Sequence, residues 1–187
     1  MEKTKILIAY GTRYGATAST AEEISQVLQE EGFNLKVVDL KKEKIQDIAD
    51  FELVIVGSGM KMDMWTRKAK AFLKKFSSEL KKKKVAIFVS SGGRALMEHK
   101  GENDEIDRIT KKYLEDKASK YGLSPISMTM FGGVWDYNKM NKIYRKILDA
   151  EKENFVQAGI NETEPGVYDT RNWDEIREWA KSIAGKL

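Results

Sequence analysis

Threonine and glycine residues near the start of the chain form a turn with the composition of a phosphate-binding loop. The turn runs from Tyr10 to Thr17, reads YGTRYGAT, and follows an apolar segment, Ile6 to Ala9. It precedes a helical pattern whose apolar residues share one face: Ala21, Ile24, Val27 and Leu28. A strand that leads through a turn into a helix directs free backbone N–H groups and the positive end of the helix dipole at one point. Such a point attracts an anion, most often phosphate. Thr12 and Thr17 add hydroxyl donors, and Arg13 adds a charge.

Two other kinds of phosphate loop are excluded by the letters of this turn. It has no Gly-Lys-Ser/Thr ending, as a nucleoside triphosphatase loop would, and no G-x-G-x-x-G dinucleotide motif. The pattern that remains is T-x-x-x-x-T with Gly15 between the threonines, which suits a terminal monophosphate. An ordinary strand-to-helix turn capped by threonine stays open as the alternative.

Two further glycine-containing segments follow later strands. The first, Gly57 to Trp65, reads GSGMKMDMW, and the second, Ser90 to Arg94, reads SSGGR. Glycine allows close approach of the backbone to a ligand, and methionine offers an adaptable surface to a flat aromatic ring. Trp65 either stacks on such a ring or begins the next helix as a core residue.

Strand and helix patterns alternate along the chain. The predicted strands cover Ile6 to Ala9, Leu35 to Leu40, Phe51 to Val56, Val85 to Val89 and Ile126 to Phe131. This alternation indicates an α/β fold, a doubly wound parallel sheet with helices on both faces. Five strands fit the order 2-1-3-4-5, whose ligand lies at the carboxyl ends of the first and third strands. The turn and the two glycine-containing segments are therefore expected to meet at one pocket.

A segment from Val134 to Val167 is additional to this minimal fold, so we expect one domain, residues 1–187, with a helical insertion at 134–167. The insertion contains a predicted helix with apolar residues on one side: Met140, Ile143, Tyr144, Ile147 and Leu148. We expect the helix to pack on the sheet. The alternative is a basic amphipathic helix that contacts substrate or an anionic membrane surface.

Composition limits the other possibilities. The 187 residues include no cysteine, which excludes disulfides and thiol chemistry and suits a reducing cytoplasm. The net charge is +4, without a basic stripe interleaved with aromatics, so nucleic-acid binding is not expected. No signal peptide or membrane span is predicted, which favours a cytoplasmic protein, with peripheral contact to the membrane as the open alternative. A single histidine, His99, and no metal-ligand spacing argue against a Ser–His–Asp triad or a metal centre.

The segment from Tyr10 to Thr17, with Ala21 and Ile24 beyond it, resembles the phosphate loop of flavodoxins. The resemblance implies a flavodoxin-like fold and bound FMN, whose chemistry the cofactor itself supplies. It assigns the phosphate to Thr12, Arg13, Tyr14, Gly15, Ala16 and Thr17. It assigns the ring and ribityl chain to Ser58, Gly59, Met60, Lys61, Met62, Ser90, Ser91, Gly92 and Gly93. Ser90 to Arg94 lacks the aromatic residue usual in that family, so Trp135 and Tyr137 are the candidates to close over the ring.

Within that superfamily the chain resembles the flavodoxin-type, menaquinone-dependent protoporphyrinogen dehydrogenases in length, basicity, the insertion and the segment Val167 to Trp173. The resemblance implies an FMN oxidoreductase that takes electrons from a porphyrinogen or another donor and delivers them to a quinone. An electron carrier between redox proteins and a flavin-free binding module are the alternatives. Lys61 and Arg94 are expected near the ring, where a cation favours the reduced, anionic flavin and raises its potential.

Overall fold

The computed structural model describes residues 3–187, apart from the side chains of Tyr144, Ile147 and Leu148. Its centre is a parallel sheet of five strands in the order β2-β1-β3-β4-β5. The strands are β1 (Lys5–Gly11), β2 (Asn34–Asp39), β3 (Leu53–Gly59), β4 (Lys84–Ser90) and β5 (Ser127–Phe131). Every residue of β3 is buried, because helices cover both faces of the sheet. The predicted fold class and strand order are confirmed.

Six of the eight helices of the described chain cover the two faces of this sheet. The eight helices are α1 (Ala16–Glu30), α2 (Arg67–Lys75), α3 (Ser77–Leu80), α4 (Arg94–Lys100), α5 (Asn103–Thr110), α6 (Asp116–Lys120), α7 (Lys142–Gln157) and α8 (Trp173–Ala184). One apolar core joins the sheet to α2, α3, α5 and α6, and a second joins it to α1 and α8. Each of these six helices therefore needs only one apolar face, which packs against one face of the sheet, whereas the central strands are apolar on both faces. Helices α4 and α7 join a third cluster beside the sheet.

A π-helical turn, Lys111–Glu115, interrupts the helical segment between β4 and β5. It lies between α5 and α6 and buries Tyr113 and Leu114. A π turn shifts the backbone register by one residue and frequently marks a functional site. Here it presents the carbonyl oxygen of Tyr113 to the indole Nε1–H of Trp65, which donates to it at 3.0 Å.

A second, antiparallel sheet forms from the additional segment and the residues directly after it, and it is absent from the sequence-based prediction. Its strands are β6 (Val134–Asp136), β7 (Glu162–Glu164) and β8 (Val167–Asp169), in the order β6-β8-β7. Each strand has three residues, which is too short for an alternating pattern to stand out in the sequence.

Helix α7 packs on this small sheet through its carboxyl-terminal half. Phe155 is fully buried and stacks on Tyr168 with ring centroids 5.0 Å apart. Met140 precedes the helix, and Ile143 is 71% exposed, so neither contributes a packed helix face as predicted. The predicted roles of Tyr144, Ile147 and Leu148 fall on side chains outside the described part of the structure. None of the described helices is both long enough and apolar enough to cross a membrane.

Candidate functional site

A cavity of about 200 Å³ opens where the three predicted loops and the start of the insertion meet. It lies at the carboxyl ends of the strands, where a doubly wound sheet binds its ligand. The predicted residues that line it are Tyr14, Met60, Lys61, Met62, Ser91, Gly92 and Gly93. Further lining residues are Asp63, Met97, Tyr113, Val134, Trp135 and Met140. The three sequence segments therefore converge as expected.

Trp135 forms one wall of this cavity. Its indole Nε1–H donates to the carbonyl oxygen of Gly92 at 2.8 Å. A methyl group added at Gly92 would lie 2.6 Å from that nitrogen, so the contact requires glycine. The insertion therefore supplies an aromatic wall that Ser90 to Arg94 lacks. Tyr137 instead faces Tyr168 in the small sheet, with ring centroids 5.8 Å apart.

Lys61 places a cation at the cavity. Its ammonium group donates a hydrogen bond to the Tyr14 hydroxyl at 2.6 Å and lies 5.2 Å from the centroid of the Tyr14 ring. This pair joins the phosphate turn to the loop after β3. A positive charge here stabilises negative charge on any ligand that the cavity holds.

The loop after β3 ends in a tight two-residue turn. Lys61 and Met64 pair through two backbone hydrogen bonds of 3.2 and 3.0 Å, and Met62 and Asp63 between them have φ values of 48° and 59°. Left-handed backbone at residues other than glycine is strained by about 1–3 kcal/mol and occurs often at functional sites.

Three contacts from the π-helical turn hold this strained turn in place. The Tyr113 hydroxyl donates to Asp63, the Lys112 ammonium pairs with Asp63 at 2.8 Å, and the Tyr113 carbonyl accepts from Trp65. Hydrogen bonds from Lys112, the larger cause, and from Tyr113 lower the pKa of Asp63. The pKa of Tyr113 is raised mainly by burial and also by its hydrogen bond to the Asp63 carboxylate. Trp65 is 2% exposed, so it is a core residue.

The phosphate turn has the geometry of an anion site. Gly15 caps helix α1 in a left-handed conformation, with φ of 104°. Its N–H donates to the Thr12 hydroxyl oxygen at 3.0 Å, so the Thr12 hydroxyl proton remains available as a donor. The N–H groups of Ala16 and Thr17, in the first turn of the helix, have no hydrogen-bond acceptor among the described residues. They lie where a helix N-terminus binds phosphate.

Two buried hydroxyl groups at the same corner test whether these residues fit FMN. Thr17 is 1% exposed and Ser90 is 5% exposed, and neither hydroxyl has a hydrogen-bond partner in the described part of the chain. A buried unsatisfied hydroxyl costs about 1–3 kcal/mol, so native proteins usually satisfy such a group. Unused donors at the phosphate turn and at the end of β4 match a ligand with a phosphate at one end and acceptors along its length. The donor set therefore fits FMN.

The structure uses other predicted residues internally. The Ser58 hydroxyl is fully buried and accepts from the Thr66 N–H at 3.0 Å, so it helps to anchor the start of α2 and does not line the cavity. Gly59 faces Thr17, because a methyl group there would lie 3.0 Å from the Thr17 hydroxyl oxygen. The Arg13 guanidinium donates to the carbonyl oxygens of Met64 and Trp65 at 3.2 and 3.3 Å.

Arg94 lies away from the cavity, contrary to the expectation that it borders the ring. Its guanidinium pairs with Glu98 and Glu175, each at 2.8 Å, and also donates to the Met130 carbonyl oxygen. Helix α4 begins at Arg94 and carries the side chain toward α8. Of the two predicted cations, Lys61 alone lines the cavity.

The sequence analysis missed four lining residues: Met97, Tyr113, Val134 and Met140. Met97 and Tyr113 match the apolar pattern of ordinary core residues, and Met140 was assigned to a helix that begins two residues later. No local signal separates these residues from core positions. The π turn that directs Tyr113 at the cavity is a product of tertiary packing.

Comparison with solved structures supports the fold. Oxidised flavodoxin 2 from Bacillus cereus has a TM-score of 0.58 and 17% identity, over 98% of this chain and 100% of that one. A flavodoxin from Streptococcus pneumoniae gives 0.57 and 14% over 98% and 100%. The rubredoxin oxygen:oxidoreductase of Desulfovibrio gigas gives 0.57 and 15% over 98% of this chain, which spans only 36% of that protein. At these identities the likeness concerns the fold alone.

Comparison of the sequence itself gives the family. A search of curated proteins finds no match. The family model described as a flavodoxin domain matches residues 7–153, which include the phosphate turn, the loops after β3 and β4, and most of helix α7. The match agrees with the strand order, the anion site at the first turn and the cavity beside it. The chain therefore belongs to the flavodoxin domain family.

Proposed function

We propose that this protein is an FMN-dependent oxidoreductase that passes electrons to a quinone or a similar flat molecule, as the menaquinone-dependent protoporphyrinogen dehydrogenases do. FMN is the cofactor that family membership and the donor set of the site both support. When bound, FMN supplies the exchange of one or two electrons.

The main support for a small-molecule substrate is that Trp135 forms a wall of the cavity. A carrier that meets only other proteins needs no more than an exposed ring edge. Here Val134, Trp135 and Met140 from the additional segment extend the lining beyond the three loops. Met60 and Met97 complete an apolar and adaptable surface, which suits a flat aromatic substrate.

The residues of the chain have distinct parts in this function. The N–H groups of Ala16 and Thr17, with the hydroxyls of Thr12 and Thr17, hold the phosphate. Lys61 stabilises negative charge that develops in the cavity and is itself positioned by Tyr14. Trp135 and the methionines exclude water from the reacting face.

The test begins with the purified protein and its affinity for FMN and for riboflavin. We expect FMN to bind at least about tenfold more tightly, because phosphate adds hydrogen bonds to a charged group. Anaerobic turnover is then measured with protoporphyrinogen IX as donor and a soluble menaquinone analogue as acceptor. Tight FMN binding without turnover of any quinone would remove the enzymatic proposal and leave the fold and cofactor intact.

One observation favours the alternative, an electron carrier between proteins. Met62 and Met64 are 70% and 51% exposed on the turn beside the cavity. Exposed methionines are common at adaptable protein-binding surfaces. Rapid electron exchange with a redox protein, in a sample that turns over no quinone, would select this function.

A further inference from the structure

We propose that an acidic protein docks on a basic surface beside the cavity and exchanges electrons with the FMN bound there. We define the basic surface by five residues: Arg13, Lys41, Arg67, Lys68 and Lys70. The inference rests on the proposed binding of FMN. It adds the chemistry and the location of the protein that delivers or receives electrons.

The basic surface is a depression of about 510 Å³, and all five cations line it. Within the described part of the chain, Lys41, Arg67, Lys68 and Lys70 form no ion pair. Arg13 bonds to two backbone carbonyls, which leaves its charge uncompensated. Elsewhere on the surface, Lys36, Lys100, Arg108 and Arg177 each have a carboxylate partner. Positive charge therefore accumulates at this depression.

The position of the cations on helix α2 works against the stability of the free protein. The helix begins at Arg67, has no acidic residue in its first turn, and places Arg67 and Lys68 at the positive end of its dipole. A cation at a helix N-terminus is unfavourable, because it faces the positive end of the helix dipole. Nearby, burial and then repulsion from Lys120 and Lys70 lower the pKa of Lys117. Acidic groups of a partner would offset the unfavourable charge at the helix end and the repulsion from Lys70.

The basic surface and the cavity share one structural element. Asp63 and Met62 line the cavity, while Met64 and Trp65 line the depression. The Arg13 guanidinium bonds to the carbonyls of Met64 and Trp65, which ties the two sites together. The exposed Met62 and Met64 thus lie between a basic rim and the ring site. An apolar centre with a charged rim is the usual anatomy of a transient protein interface.

The concave shape favours a protein over a membrane. Carboxylates that protrude from a folded protein reach into a depression of this size, whereas a bilayer presents a broad plane. Asp63, the acidic residue of the intervening turn, is already paired with Lys112 and Tyr113, so it opposes an acidic partner only weakly.

The test uses two probes of opposite sign: an acidic plant-type [2Fe–2S] ferredoxin and basic cytochrome c. Binding of labelled ferredoxin is measured by fluorescence anisotropy at low and high salt, with and without FMN. We expect binding at low salt that weakens as salt screens the charges. We also measure the anaerobic rate at which reduced ferredoxin loses one electron and the bound FMN gains it.

The informative variant is Arg67→Glu with Lys68→Glu. Glutamate suits the first turn of a helix, so this variant is expected to fold at least as well as the native protein. We expect its affinity for ferredoxin, and the rate of electron transfer, to fall about tenfold or more, and its rate with cytochrome c to rise. The control, Lys82→Glu with Lys181→Glu, changes the net charge equally at the opposite end of the sheet. It should affect ferredoxin binding much less.

Three results would overturn the inference. They are equal losses in the two double variants, absence of ferredoxin binding at low salt, and binding of phosphatidylserine vesicles, but not of ferredoxin, that depends on Arg67 and Lys68. Because binding is measured without flavin as well, failure to retain FMN refutes the proposed function separately from the docking surface.

Discussion

The indole of Trp135 donates a hydrogen bond to the carbonyl oxygen of Gly92 at 2.8 Å, across 43 positions of sequence. This contact joins the first strand of the small sheet to the loop after β4. Thr170 completes the connection, because its N–H and hydroxyl both donate to the Gly133 carbonyl oxygen, at 2.9 and 3.0 Å. The additional segment is thus attached directly to the candidate ring site.

Gly92→Ala should weaken FMN binding, because a methyl group 2.6 Å from the Trp135 indole nitrogen forces that ring to move. We expect a loss of affinity of about tenfold, the effect of breaking one hydrogen bond and misplacing one wall. Titration of the apoprotein with FMN measures it. Gly93→Ala is the matched control, since its methyl group would meet only the end of Met97, at 3.5 Å. Equal losses in both variants would contradict the assigned role of Trp135.

Thr17→Val should have opposite effects on the apoprotein and on FMN binding. Removing an unpaired buried hydroxyl should raise the free energy of unfolding by up to about 1 kcal/mol. The lost donor should weaken FMN binding about tenfold and leave riboflavin binding unchanged. Adding Thr12→Val should enlarge the difference between the two ligands.

Thr20→Val is the control for this prediction, since its hydroxyl is also fully buried and without a described partner, one turn further along α1. It should raise the stability of the apoprotein in the same way without changing FMN affinity. Denaturant unfolding and ligand titration provide the two measurements. Equal weakening of FMN and riboflavin by Thr17→Val would reject the phosphate assignment.

Lys61→Met should make the potential of the bound flavin more negative by tens of millivolts. A unit charge several ångströms from the ring, at an effective dielectric constant of about 20, contributes about 1–3 kcal/mol. Arg94→Gln should have little effect, because Glu98 and Glu175 neutralise that guanidinium outside the cavity. Spectroelectrochemical titration distinguishes the two variants. A native potential as negative as that of acidic flavodoxins would also contradict the role of Lys61.

Asp63→Asn should reduce stability only where the native carboxylate is ionised. Hydrogen bonds from Lys112 and Tyr113 lower the folded-state pKa below the ordinary value of 3.8, so the pair stabilises the folded protein above that pH. The contribution should disappear as the pH falls through the lowered pKa. It should stay below about 1 kcal/mol, because both partners are 45% exposed.

Asparagine also tolerates positive φ, so this substitution preserves the turn. Unfolding curves of the native and variant proteins at pH 7 and at pH 2.5 measure the difference. Tyr113→Phe should give a smaller effect in the same pH range, since Lys112 remains. A difference between native and Asp63→Asn protein that does not change between the two pH values would refute the ionic origin.

Local sequence patterns were sufficient to predict the strands of the large sheet and the helix that follows the first turn. Continuous apolar segments such as Leu53 to Val56 predict buried parallel strands, and they form them. The helical face of Ala21, Ile24 and Leu28 is fully buried, as its spacing requires. Both predictions depend on residues a few positions apart, which is why periodicity reveals them.

Other parts of the site depend on pairs that are distant in sequence. Ser58 and Arg94 have the residue types of ligand-binding positions, yet Thr66 engages the first and Glu175 the second. The three-residue strands of the small sheet exist only because each pairs with another. No single-sequence pattern encodes those partners.

The sequence by itself determined the five buried strands, the strand-to-helix turn at Tyr10 to Thr17 and the two glycine-containing segments, because each follows from local periodicity and turn chemistry. The strand order follows from the alternation of these strands with helices. Only the tertiary structure decided which side chains face that cavity and where unpaired positive charge collects. Those outcomes depend on which distant group each side chain contacts in the folded protein. Trp135 donates a hydrogen bond to Gly92 and Lys61 to Tyr14, whereas Arg67 has no carboxylate partner in the described part of the chain.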